Sequence, residues 1–224
     1  MTPRNILPFI FLCIVCISCK KDDSSVDTVV FYGLVKDSIT LKGIGNVLIK
    51  STWYNRSANQ EIAVDSTVTL ADGSYKMITA IDHEMFKTHL LNINASVPAN
   101  YISPLDVAHA DVGMSLLGIQ SESPGLPILY MYPRADLSIH LKKTSPDPIS
   151  QFEFRYNFQG PDSRNYFLLT GSSVPVDSTF IVRTAAGLAT NINWRRVDSR
   201  GTETKFQTSL TCVPGSGNSI QVTY

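Results

Sequence analysis

Beyond an apolar N-terminal stretch, hydrophobic and polar residues alternate with period two through most of this 224-residue chain. Ile62, Val64, Val68 and Leu70 share one side of the pattern, opposite Ala63, Asp65, Thr67 and Thr69. Leu91, Ile93, Ala95 and Val97 alternate with Asn92, Asn94 and Ser96; Leu137, Ile139 and Leu141 alternate with Asp136, Ser138, His140 and Lys142. Phe152, Phe154, Tyr156 and Phe158 alternate with Glu153, Arg155 and Asn157. Successive side chains of an extended chain point to opposite faces, so each window predicts a half-buried strand of an antiparallel sheet. Beyond the N-terminal stretch, no segment keeps a helical period.

The breakers agree. Asp72-Gly73 between Leu70 and Tyr75 is a hairpin signal, and Gly160-Pro161-Asp162, Ser145-Pro146-Asp147-Pro148 and Pro214-Gly215-Ser216-Gly217 mark further turns. All twelve prolines lie outside the alternating windows, as strands lacking ladder donors would require. The fold class this predicts is all-β, with two β-sandwich domains of about 100 residues each. The boundary is placed near Tyr132-Pro133, after a Pro- and Ser-rich stretch and a short strand around Ile128 to Met131. That divides the chain into 1–18, 19–28, 29–132 and 133–224.

The first of these segments reads as a signal peptide. Arg4 supplies a positive start, and Ile6 to Ile17 is apolar apart from Pro8. The run is too short to span a bilayer, which takes about 20 apolar residues. Cys16 follows branched Val15, whereas Cys19 follows small Ser18, so cleavage before Cys19 is expected. Ser18-Cys19-Lys20-Lys21-Asp22-Asp23 resembles the processing site of Bacteroidota-type surface lipoproteins. The resemblance implies a diacylglycerol thioether and an N-acyl chain on Cys19, with Lys20, Lys21, Asp22 and Asp23 as a surface-export signal. It places the protein at the outer membrane, facing the cell exterior and held there by lipid. Cys16 departs from the commoner leucine, and Lys20 argues against retention at the inner membrane.

Cysteine usage and charge narrow the picture. Cys13 and Cys16 would leave with the signal and Cys19 would be acylated, so Cys212 remains alone and no disulfide can form within the mature chain. Lys and Arg number 19 against 19 Asp and Glu, and losing Arg4 leaves 18. That balance gives no electrostatic case for nucleic acid. Membrane attachment rests instead on acyl chains, of which two or more give stable anchoring.

A second resemblance lies between Val29 and Tyr101. Tyr32-Gly33-Leu34-Val35-Lys36-Asp37, Gly43-Ile44-Gly45-Asn46-Val47-Leu48-Ile49 and Thr69-Leu70-Ala71-Asp72-Gly73-Ser74-Tyr75 resemble the carboxypeptidase regulatory-like family. That implies a transthyretin-like sandwich for the first domain. Gly33 relaxes a strand interior, Gly43 and Gly45 shape a turn, and Asp72-Gly73 accepts positive φ. Thr52 to Glu61 departs from the pattern as a longer connection. The second domain carries no comparable motif and is expected to be immunoglobulin-like or transthyretin-like.

Candidate chemistry is sparse. His83, His89, His109 and His140 show no zinc-protease spacing. Asp106-Val107-Ala108-His109-Ala110-Asp111 reads foremost as a solvated turn, and His83-Glu84 as a cap after Ile81. No Gly-x-Ser-x-Gly elbow occurs, so no catalytic residue, metal or cofactor is expected. Cys212 reads as a buried thiol and Trp194 as core. Trp53 and Tyr54 are adjacent and cannot both face one core, so with Asn55, Arg56 and Asn59 they form the candidate ligand-binding set. Thr28, Ser38, Ser66 and Ser178 follow aspartates in triplets that resemble the O-glycosylation acceptor of these bacteria. The expectation is a non-enzymatic, lipid-anchored surface protein that binds or scaffolds a glycan or an envelope partner. The alternative is a fimbrial or other structural assembly subunit, with an enzyme third.

Overall fold

A computed structural model of the chain describes residues 26–103, 111–119, 124–144, 148–158, 169–171 and 177–224. Cys19 and Lys20 to Asp23 lie outside the described residues, as do most of Asp106 to Asp111 and the turns at Gly160 and Pro146. The fold is all-β, and the described residues form fourteen strands and one short 3₁₀ turn at His83–Lys87.

The first sandwich opens with β1 (Val26–Asp37), β2 (Leu48–Asn55), β3 (Gln60–Val68) and β4 (Ser74–Asp82). It continues with β5 (His89–Ser96), the short β6 (Tyr101–Ile102) and β7 (Asp111–Leu116). One sheet pairs β4 with β1, and the facing sheet runs β3-β2-β5-β7. Alternation places Val29, Phe31 and Val35 of β1 and Tyr75, Met77 and Ile81 of β4 on one inner wall. Ile49 and Trp53 of β2 and Leu91, Ile93 and Ala95 of β5 form the other, all buried in one core. Glycines make two close approaches possible. A Cβ on Gly33 would lie 2.4 Å from the Tyr75 hydroxyl, so the glycine vacates the space that its cross-strand partner fills. Gly73, at φ 79°, caps the predicted hairpin while Gly43 packs on its backbone, where a Cβ would meet the Asp72 carbonyl at 1.8 Å.

Here one sequence expectation fails. Ser51 of β2 pairs with Asp65 but Thr52 pairs with Ala63, leaving Val64 as a bulge. The extra residue breaks the period, and a one-residue shift exchanges the two faces of a strand. Val64 packs against the core, while Val68 and Leu70 on the far side of the bulge face solvent, 54% and 66% exposed. Thr69 takes the inward position instead. Its hydroxyl donates to the Ile44 carbonyl at 2.7 Å and accepts from the Val47 amide at 2.9 Å, satisfying two buried main-chain groups.

The longest strand, β8 (Leu129–Lys142), passes from one core into the next. Leu129 to Met131 pair parallel with the end of β1, Tyr132 and Pro133 pair with β6, and Arg134 to Leu141 pair with a later strand, β11 (Ser178–Ala185). Pro133 therefore lies inside a strand, contrary to expectation. It occupies the point where β8 changes partners, and the absent donor costs no ladder bond: its carbonyl accepts from Ala186, and Arg134 donates to Asn100. A small cluster of Ile102, Tyr132, Phe158 and Ala185 fills this junction.

The second sandwich packs the later part of β8, flanked by β11 and β14 (Asn218–Thr223), against a four-stranded sheet. That sheet contains β9 (Ile149–Phe158), β10 (Leu169–Gly171), β12 (Ala189–Asp198) and β13 (Glu203–Thr211), in the order β10-β9-β12-β13. Leu137, Ile139 and Leu141 meet Phe152, Phe154, Tyr156 and Ile192, as the alternation requires. Phe152 packs on Tyr224 with centroids 4.6 Å apart, and Phe154 meets Phe180 edge-on at 5.6 Å.

Candidate functional site

The connection read as a long loop is a tight hairpin. Thr52 to Asn55 end β2 and Gln60 opens β3, so Arg56 to Asn59 alone make the turn. The Asn55 carboxamide oxygen accepts from the amides of Ser57 at 2.9 Å and Ala58 at 3.1 Å, and Asn59 adopts φ 50°. This is ordinary Asx-turn chemistry. Trp53 is only 5% exposed and meets Phe86 edge-on at 4.8 Å. Half-buried Tyr54 points the other way and donates to the Asn59 carboxamide oxygen at 3.0 Å. Trp53 thus belongs to the core and not to an exposed face, while Asn55 spends its oxygen on the turn and Asn59 accepts from Tyr54.

Other assignments resolve individually. The Asp82 carboxylate, rather than His83-Glu84, caps the 3₁₀ turn by accepting from the Glu84 amide at 2.9 Å, and His83 reaches Asp27 at 3.1 Å. Cys212 is buried, and burial raises its thiol pKa. Trp194 stacks on Phe206 at 5.3 Å and donates its indole N–H to the Thr223 carbonyl. Among the acceptor triplets, Thr28 and Ser66 are exposed and Ser178 is half-buried. Ser38 differs, because its hydroxyl oxygen is buried in the turn after β1 without a hydrogen-bond partner among the described residues. The folded chain does not present it.

A site that sequence reasoning missed lies on the outward face of the second sandwich. The register aligns Arg155, Asn193 and Gln207 in one row across β9, β12 and β13, and Glu153, Arg195 and Lys205 in the next. Between the rows lies an open depression of about 290 Å³, to which Trp194 and Phe206 also contribute. Glu153 is the pivot. Its side chain is 11% exposed and accepts from Arg195 Nε at 2.7 Å while pairing with Arg155. Arg195 also reaches Glu203 at 3.6 Å, and Glu203 takes Lys205 at 3.0 Å.

The electrostatics follow from this chain of contacts. The Glu153 carboxylate, as hydrogen-bond partner and as charge, raises the Arg195 pKa, with Glu203 adding to it. Glu203 is lowered, first by its hydrogen bond to Lys205 and then by the charges of Lys205 and Arg195. Three cations and two carboxylates leave one excess positive charge beside the side-chain amides of Asn193 and Gln207, for which no hydrogen bond is seen among the described residues. Such an array offers hydrogen bonds of both polarities to a hydroxylated or acidic ligand. Its local sequence signal was the polar half of the windows around Phe152 to Phe158 and Ile192. What sequence could not supply was which of those positions face one another.

Among the described residues, no group of three or more His, Cys, Asp or Glu side chains is placed to hold a metal ion, and no helix is long and apolar enough to cross a membrane. No protein-family model matches the chain, and no curated protein matches it. Solved structures give faint likenesses. The Bacillus anthracis TIE protein aligns over 88% of this chain and 33% of its own at 10% identity, TM-score 0.34. A Streptococcal ancillary pilin aligns over 90% and 63% at 11% identity, TM-score 0.32. A 9R-lipoxygenase from Cyanothece aligns over 46% and 16% at 15% identity, TM-score 0.31. The chain thus spans under two thirds of each of these proteins, and likeness at this level transfers neither fold nor activity.

Proposed function

We propose that this chain is a lipid-anchored protein of the bacterial outer surface that binds an extracellular glycan through the depression on β9, β12 and β13. The observation that carries the reading is the pair of facing rows, Arg155-Asn193-Gln207 and Glu153-Arg195-Lys205, held on a rigid sheet rather than on loops. Guanidinium and ammonium donors, amides and carboxylate acceptors converge there, the mixture that sugar hydroxyls and uronic acid carboxylates satisfy. The anchor rests on Cys19 after Ser18 and on Lys20 to Asp23. For the first sandwich we retain the carboxypeptidase regulatory-like assignment, supported by the interlocked Gly43 and Gly73 turns and by Tyr75 packed over Gly33.

The test is binding of the detergent-purified, full mature protein to an array of neutral and acidic bacterial polysaccharides. Asn193→Ala with Gln207→Ala removes two hydrogen-bonding amides without touching the ion pairs. It is expected to weaken capture roughly tenfold or more, at about 1 kcal/mol per hydrogen bond, with an unchanged melting temperature. Equal capture by wild type and variant would reject the depression as the site. A structural assembly role is the second reading, favoured by β13, a nine-residue strand paired on one side only among the described residues. Such an edge accepts an added strand, and concentration-dependent oligomers lost on Thr208→Pro would support it.

A further inference from the structure

The outward face of β1 and β4 combines exposed apolar and aromatic side chains with lysines. Across the pair, Thr28 lies beside Ala80, Val30 beside Ile78, Tyr32 beside Lys76 and Leu34 beside Ser74, while Lys36 lies beside Tyr130 at the start of β8. Ile78 is 54% exposed, Tyr32 44% and Tyr130 38%, and neighbouring Ile128 is also exposed. Lys76 Nζ sits 5.6 Å from the centre of the Tyr32 ring. No carboxylate faces outward among these positions. The nearest along the strands are Asp82, committed to capping the 3₁₀ turn, and Asp72, committed to Ser74 in the hairpin.

Aliphatic side chains flanked by tyrosines and lysines suit a lipid–water boundary. Tyrosine has an apolar body and a wet tip, and lysine can lay its stem on apolar surface while its charge stays among headgroups. Two ammonium groups with no ion pair among the described residues favour an anionic surface. Position points the same way. β1 is the first strand after the tether, and the seven residues from Cys19 to Val26 reach at most roughly 25 Å. The end of the face at Val26 is therefore held within that reach of whatever Cys19 is inserted in. We propose that the outward face of β1 and β4 lies against the anionic headgroup layer of the anchoring membrane, an inference that rests on the reading of Cys19 as the lipidated residue.

The experiment uses the full lipidated protein in phosphatidylcholine vesicles containing phosphatidylglycerol and a lipid brominated near the headgroup. Tyr32→Trp, Ile78→Trp and, on the other sandwich, Gln207→Trp each add one indole, read as the emission gained over wild type. The added emission at 32 and 78 is expected to be mostly lost to bromine quenching and that at 207 retained. Adding Lys36→Gln and Lys76→Gln is expected to lower the ratio of docked to undocked molecules by about a factor of five per lysine, roughly thirtyfold together. Unquenched emission at 32 and 78 in protein whose N-terminal peptide carries acyl mass would overturn the inference and leave the anchor standing. A peptide without acyl mass would overturn both. A dimer in detergent that shields position 32 from acrylamide would assign the face to a second copy and overturn it as well.

Discussion

On the first sandwich the outward row of β1 reads Thr28, Val30, Tyr32, Leu34 and Lys36, its lysine without an ion pair among the described residues; on the second, β9 presents Gln151, Glu153, Arg155 and Asn157, with the charges knitted into pairs. Both sheets use the same alternation and bury comparable aromatic and aliphatic cores. The inward half of a strand pattern therefore says little about what a sandwich does. The proposed functions rest on the outward half, and there the two differ in kind: an apolar face with lysines on the first sandwich, and a polar, ion-paired depression on the second.

The largest expected effect tests whether the first sandwich keeps its large aromatics inside. Trp53→Ala should destabilise the protein by about 3–5 kcal/mol, the usual result of truncating a buried large aromatic, read from denaturant unfolding. A loss within the ±0.5 kcal/mol typical of surface changes would return Trp53 to the outside and put a binding face on this sandwich too. A smaller effect tests the bulge. Thr69→Val strands the Val47 amide and the Ile44 carbonyl and should lower stability by about 1–3 kcal/mol, whereas Leu70→Ser, next to it but facing solvent, should change it by no more than about 0.5. Equal effects would mean the bulge does not divide the strand.

The smallest effect sharpens the second half of the comparison. Glu203 has a folded pKa below its ordinary 4.5, chiefly through Lys205. A depressed carboxylate contributes stability that is present above the unfolded value and is lost as pH falls through the folded one. Acidification below 4.5 should therefore lower the urea midpoint of wild type slightly more than that of Glu203→Gln. Identical acid dependence in the two proteins would show that the outward ion pairs contribute nothing to folding and serve only the depression.

Much of the scaffold was legible. The windows at Leu91, Leu137 and Phe152 became β5, β8 and β9 with the expected residues inside, and Asp72-Gly73 became the hairpin turn. These features are local: side-chain period and tolerance of positive φ are properties of a few neighbouring residues. The candidate site was not legible. Glu153 is 42 residues from Arg195, and a further stretch separates both from Lys205. Trp53-Tyr54 is conspicuous in sequence instead, but two adjacent aromatics leave open which of them faces inward.

The sequence by itself determined an all-β chain, several of its strands, the inward placing of Phe152, Phe154 and Tyr156, and an N-terminus that resembles a lipoprotein signal. Tertiary structure alone decided that Val64 bulges and so turns Val68 and Leu70 outward, that Trp53 rather than Tyr54 meets Phe86, and that β8 serves both cores by changing partners at Pro133. It also decided that three distant strands align their polar rows into one depression. The physical reason is register: alternation specifies two faces for each strand, but which face is covered, and which residue lies opposite which, is set by pairing with segments far away in the chain.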